Sequence, residues 1–188
     1  MRTIALHVFD YSLDGIIGAE GTEFYDFCRA IPDDAASEQW LCDYLGRAEV
    51  HIVGRVTFEG MAGYFPTAPD DDPFAPIMNK GRKLVFSSTL TSTDWPNAEI
   101  VRGDLAGHLD ALRREGTGEI VAHGGISFAR SLAQLDLVDE YRLLTAPVLA
   151  GSGSALFQPT AAPRPLELVS ATAFGNGLVG TVYRRHRA

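Results

Sequence analysis

Two glycine-bearing turns carry the chemistry that this chain can do. Gly54-Arg55-Val56-Thr57 follows a β-branched run and opens a helical pattern, and His123-Gly124-Gly125-Ile126 does the same further along. Glycine has no Cβ, so backbone there can approach a ligand closely. The amides at the start of the following helix then face an anion, typically a phosphate. Arg55 adds a cationic fork and Thr57 a hydroxyl. Each turn also has a plain reading, a strand-to-helix connection with Thr57 as an N-cap. Two such turns in one chain suggest a protein that holds a phosphorylated cofactor.

Other polar residues are ambiguous on their own. Ser12-Leu13-Asp14-Gly15 reads as a turn that Asp14 can close through its own backbone. Ser87-Ser88 ends a strand, at the edge where parallel sheets bind ligands. Asp34 and Glu38 lie on a helix that exposes one face, where acidic residues are ordinarily solvated. His7 and His51 sit within apolar strands and read as packing residues, and His123 ends a strand. No histidine pair has a metal-ligand spacing, so no metal is expected.

The elements that must position these residues follow from hydrophobic pattern and breakers. Strands are expected at Thr3–Phe9, Val50–Val53, Lys83–Ser87, Glu99–Val101, Glu119–Ala122, Tyr141–Thr145, Leu166–Ala173 and Leu178–Arg184. Gly175-Asn176-Gly177 makes a hairpin of the last two. Helices are expected over Asp34–Gly46, from Thr57, over Leu105–Glu115 and over Ile126–Leu135. Gly63–Pro76 reads as a loop, with a short helix after it. Strands that alternate with helices and close on a hairpin give an α/β fold with a mixed, mostly parallel sheet.

At 188 residues the chain fits one domain, 1–188, with a sizeable core. It is 46% hydrophobic and 21% charged, with a net charge of −8 and no basic tract, so no nucleic-acid partner is expected. No apolar stretch approaches the roughly 20 residues that span a bilayer, so no membrane partner is expected. Cys28 and Cys42 suit neither a zinc site nor a disulfide framework; Cys42 reads as a small core residue. No signal peptide is visible, and a reducing cytoplasmic compartment is the simplest reading.

In order, Ser12-Leu-Asp-Gly15, Gly54-Arg-Val-Thr-Phe58, Lys83-Leu-Val-Phe-Ser-Ser88, His123-Gly-Gly125, Leu137-Val-Asp-Glu140 and Pro147-Val-Leu-Ala-Gly-Ser-Gly153 resemble the dihydrofolate reductase-like superfamily. Within it the chain is most similar to the reductase domain of the bacterial bifunctional riboflavin-biosynthesis enzyme; the zinc deaminase signature of that enzyme is absent. The resemblance covers nearly the whole chain. It implies a three-layer sandwich, a homodimer and an NADPH-dependent reductase acting on a small heterocyclic or carbonyl-type substrate. 5-Amino-6-(5-phosphoribosylamino)uracil is one such substrate. It further implies that Gly54, Arg55, Thr57, Ser87, Ser88, Gly124, Gly125 and Ile126 hold the cofactor, with Arg55 at the 2′-phosphate. Ser12 and Asp14 would border the substrate, and Asp14 and Glu38 are the candidate catalytic carboxylates. The alternatives are a dinucleotide-binding protein without turnover and a true dihydrofolate reductase. Asp139 and Glu140 read as structural.

Overall fold

Alternate residues of the first strand point to opposite faces, and both sets are buried, so this strand must run through the middle of a covered sheet. A computed structural model describes residues 1–160 and 162–186 and shows that arrangement. In chain order the elements are β1 (Ile4–Ser12), β2 (Ile16–Ile17), α1 (Glu23–Arg29), α2 (Ala35–Leu45), β3 (Ala48–Gly54) and α3 (Arg55–Tyr64). A 3₁₀ turn, Phe65–Thr67, leads to α4 (Ala75–Lys80), β4 (Arg82–Phe86), β5 (Ala98–Val101), α5 (Leu105–Leu112) and β6 (Glu119–His123). The chain continues through α6 (Ile126–Gln134), β7 (Glu140–Ala146), β8 (Ser154–Ala155), β9 (Leu166–Ala173) and β10 (Val179–Arg185).

The main strands lie in the order β5-β4-β3-β6-β1-β7-β10-β9. The strands from β5 to β7 are parallel, and β10 pairs antiparallel with both β7 and β9, which gives the expected mixed sheet with its closing hairpin. One face carries Ile4, Leu6, Val8, Val50, Ile52, Ile120 and Ala122 against α5 and α6. The other packs Val53 and Val85 against Phe58, Met78 and Trp95, and sets Trp40 of α2 edge-on to His7.

Sequence pattern missed α1, a seven-residue helix that buries only Phe24. Its start is fixed by Thr22, whose hydroxyl accepts from the Tyr25 amide, rather than by an apolar stripe. The helix expected from Thr57 starts at Arg55 and runs on to Tyr64, shortening the expected loop. Cys28 and Cys42 are free and only partly buried, so Cys42 is not a core residue. Among the described residues no helix is long and apolar enough to cross a membrane.

The connections place the crevice. From β3 the chain passes through α3 to β4, and from β6 through α6 to β7. These neighbouring strands send their helices in opposite directions, which opens a gap at their carboxyl ends.

Candidate functional site

The helix starts at that gap differ from those of α1, α2 and α5. Side chains cap α1, α2 and α5: Thr22, Asp34 and Asp104 accept from the amides of Tyr25, Ser37 and Ala106. The ten-residue α3 and nine-residue α6 begin at Gly54 and Gly125 with no side-chain cap. Their first amides are therefore open to an anion, with the helix dipole behind them.

The two starts are joined. Thr57 Oγ1 donates to the Gly124 carbonyl at 3.0 Å, so Thr57 is the third residue of α3 and a tie to the diglycine, not an N-cap. The Gly124 amide donates to the His7 carbonyl at 3.0 Å, fixing the diglycine over β1. Gly125 has φ +124°, and a Cβ there would lie 2.3 Å from Thr57 Oγ1. Only glycine fits this point on both counts. Gly54, Thr57, Gly124, Gly125 and Ile126, the first residue of α6, are thus gathered into one cradle.

Arg55 opens α3 and is exposed, with its guanidinium 2.7 Å from Glu59 one turn on. Ser87 and Ser88 follow β4, beside the β3 end. The Ser87 hydroxyl closes its own turn by accepting from the amides of Thr89 and Leu90 at 3.2 and 2.9 Å. Ser88 offers its carbonyl to Arg102 at 2.7 Å. Arg102 escaped the sequence reading; its signal is a basic residue between a strand end and Gly103-Asp104.

The expected carboxylates have these partners. Asp14 Oδ1 accepts from Ser12 Oγ at 2.5 Å and from the Ala150 amide at 2.9 Å, and Oδ2 accepts from Gly151 at 2.8 Å. The Ser12 and backbone hydrogen bonds hold its pKa down to about 2. Asp14 therefore carries its charge into a latch that pins the β1 loop to the Pro147–Gly153 loop. Ser12 is fully buried and serves the same turn, accepting from the Ile16 amide at 2.9 Å. Asp34 caps α2 and takes the Gly175 amide at 3.1 Å. Glu38 lies in the first turn of α2. Burial raises the pKa of Cys42, one turn on, and the charges of Asp43 and Glu38 add to it; the Cys42 thiol faces the Pro73 carbonyl. The structure thus places Glu38 on the flank beside the 70–75 loop. Asp139 and Glu140 pair with Arg113 and Arg142, the structural roles expected of them.

A carboxylate that sequence reasoning missed sits at the crevice. Asp10 is near the carboxyl end of β1, at a bulge between Val8 and Tyr11. It pairs with Arg29 from the last turn of α1. Burial raises its pKa, and Arg29 partly opposes that. Burial and the charge of Asp10 push the neighbouring Cys28 thiol up to about 11. The signal was an acidic residue directly after an apolar run that ends at Phe9.

Beneath the crevice the strands carry a polar row. Lys83 lies opposite His51, and His7 lies opposite both His123 and Arg142. All five are essentially solvent-free. His51 Nδ1 and His123 Nε2 are 2.9 Å apart. Lys83 donates to the carbonyls of Met78 and Gly81, and burial lowers its pKa to about 8. Among the described residues no group of three or more His, Cys, Asp or Glu is placed to hold a metal ion.

Residues 4–180 match the model of the RibD C-terminal domain. The uncharacterized Bacillus subtilis protein YyaP is 29% identical over 175 residues, 92% of this chain and 89% of the relative. A solved protein of Shewanella sp. PV-4, named for riboflavin biosynthesis, superposes with a TM-score of 0.76 at 21% identity, covering 100% of both chains. A pyrimidine reductase-like protein of Corynebacterium diphtheriae gives a TM-score of 0.70 at 17% identity, over 100% of this chain and 92% of that one. The deaminase and 5-amino-6-(5-phosphoribosylamino)uracil reductase of Thermotoga maritima gives 0.68 at 15% identity; the match covers 98% of this chain but only 57% of the longer enzyme.

Proposed function

The chain belongs to the RibD C-terminal domain family, and from that premise we propose that it is an NADPH-dependent reductase of a small heterocyclic or carbonyl-type substrate. The observation that carries this reading is the pair of uncapped helix starts, tied by Thr57 and Gly124, at the carboxyl ends of β3 and β6. A dinucleotide pyrophosphate suits such a cradle, because its charge is met by amides and dipoles that cost nothing to reorganise. When bound, the cofactor supplies the hydride.

The chain supplies the rest. Amides at the starts of α3 and α6 hold the pyrophosphate, and Gly125 lets it approach. Arg55 meets the 2′-phosphate by turning from Glu59, and Ser87 and Ser88 flank the adenosine end. Asp14 and Ser12 keep the loop after β1 closed against the Pro147–Gly153 loop, which limits water at the reacting centre. The substrate class takes in the phosphoribosylaminouracil named for the Thermotoga enzyme.

Two measurements test this. NADPH should raise the thermal midpoint with dose, by an amount equivalent to about 2.7 kcal/mol at one hundred times its Kd. Failure of both NADPH and NADH to shift it at millimolar concentration removes the dinucleotide reading. Arg55→Ala should weaken NADPH about tenfold, the scale of one charge-assisted hydrogen bond, and leave NADH unchanged. Equal losses for both would take Arg55 away from the 2′-phosphate.

A further inference from the structure

We propose that Asp10 and Arg29 are the substrate-recognition pair of this crevice, with Asp10 accepting ring N–H groups at its floor and Arg29 taking an anionic substituent at its mouth. The proposal rests on the reductase reading and names the class of molecule it would serve: a flat nitrogen heterocycle with N–H donors and an outward phosphate or carboxylate.

Position is the first argument. β1 lies between β6 and β7 at the centre of the sheet, and the diglycine sits over it: a Cβ on Gly124 would meet Val8 Cγ2 at 3.7 Å. Asp10 is two residues further toward the carboxyl edge, about 7 Å along an extended strand. The bulge between Val8 and Tyr11 frees Asp10 from regular pairing. Its backbone is fixed there by the Gly18 amide, which donates to the Asp10 carbonyl at 2.7 Å.

Chemistry is the second. The Asp10 side chain is 15% exposed, whereas that of Arg29 is 54% exposed. A carboxylate this deep needs a partner. Its resting partner is a half-exposed arginine at the end of a short helix, stacked over Tyr25 at 5.1 Å from the ring centroid. Such a cation can move outward when ring N–H groups take its place. Asp14 and Asp34 offer no such exchange, because backbone amides hold both. The pair also sets polarity: a ligand that presents an anion inward meets Asp10 and is rejected.

The test uses two fragments on the full chain, 6-aminouracil and ribose 5-phosphate, titrated by NMR shift changes, with NADPH affinity measured on each variant. Asp10→Asn should weaken 6-aminouracil more than about tenfold and leave ribose 5-phosphate unchanged. Arg29→Gln should weaken ribose 5-phosphate by a similar factor while 6-aminouracil binds equally well or more tightly. Equal 6-aminouracil affinity in Asp10→Asn, loss or retention of both fragments in Arg29→Gln, or no binding of either fragment to the unaltered protein at about ten millimolar overturns the pair. Should Asp10→Asn not fold, the Arg29→Gln arm decides alone. NADPH affinity should be unchanged in both variants; its absence from the unaltered protein is failure of the reductase reading, a separate result.

Discussion

The two faces of the sheet are built from alternate residues of the same strands, yet different forces hold them. On the α5 and α6 side, Leu6, Ile52 and Ile120 meet Leu109, Phe128 and Leu132 in an unbroken apolar layer. On the α2 side, the intervening residues His7, His51 and His123 join Lys83 and Arg142 in a buried row across five adjacent strands. The apolar face gains by leaving water, whereas each polar group on the other face had to be desolvated and then partnered. Arg142 succeeds: its guanidinium meets Glu119 and Glu140 at 2.6 and 2.7 Å and lies over the Tyr44 ring. The imidazoles succeed only in part. Both ring nitrogens of His7, His51 Nε2 and His123 Nδ1 lack a protein hydrogen-bond partner among the described residues. One face is therefore sensitive to shape, and the other to charge.

The largest expected effect breaks the charged face where it is best satisfied. Arg142→Met keeps most of the side-chain volume but leaves buried Glu140 with only the half-exposed Arg184, and Glu119 loses its arginine. Removing one member of a buried ion pair costs about 3–5 kcal/mol, because the remaining charge has no water to return to. Urea unfolding of the variant should show that loss at pH 7.5. A loss below about 1 kcal/mol would mean that the row is wet, and that the contrast between the faces is smaller than their burial implies.

The next effect uses the poorly satisfied groups. Burial and the Arg142 charge lower the pKa of His7 to about 3; burial and Lys83 lower that of His51 to about 4. Burial, with His51 and His7 beside it, holds His123 well below its ordinary value. These folded values lie below the unfolded value near 6.5, so the unfolded chain binds protons that the folded chain refuses. Stability is then complete above pH 6.5 and falls as the pH drops toward the folded values. The loss is about 2 kcal/mol each for His7 and His51 at pH 5, and His123 acts in the same direction. Asp14, lowered to about 2, acts in a separate window below the ordinary carboxylate range near pH 4. Urea midpoints at pH 7.5 and 5.0 check this, and His7→Phe should flatten the difference. A midpoint that does not move between those pH values would show that the imidazoles can reach water or charge without cost.

This contrast explains what could be read from the sequence. The apolar runs Thr3–Phe9 and Val50–Val53 disclosed buried strands, and Gly54 and Gly124-Gly125 disclosed the two turns of the cradle, because those signals are local. Reading His7 and His51 as packed within apolar strands agrees with their burial, but their alignment with His123 depends on β6 inserting between β1 and β3, a long-range pairing that no local pattern encodes. The same limit applies to the carboxylates. Asp14 sits in a turn motif that looks like a site, but its partners Ala150 and Gly151 come from a distant loop. Asp10 lies just past the run that ends at Phe9, and only α1, itself below the threshold of periodicity, brings Arg29 to it.

The smallest effect sharpens the comparison on the apolar face itself. Ile52 lies between His51 and Val53 on β3 and points to the opposite side from His51, within the α5 and α6 core. Ile52→Val removes one methylene from a close-packed layer and should cost about 0.5–1.5 kcal/mol. The size is not the informative part. Ile52 belongs to the apolar cluster, so the cost should be the same at pH 7.5 and pH 5.0, even though the parent protein is weaker at the lower pH. Urea unfolding of both proteins at both pH values gives the two differences. If the Ile52→Val cost changes by more than about 0.5 kcal/mol between them, sites on opposite faces are coupled beyond ordinary additivity. The sheet would then be transmitting charge strain from the histidine row into the apolar layer, and the faces could not be treated as separate. If the cost is constant, acid acts on the α2 face alone, and the crevice that this face borders will loosen before the α5 and α6 core does.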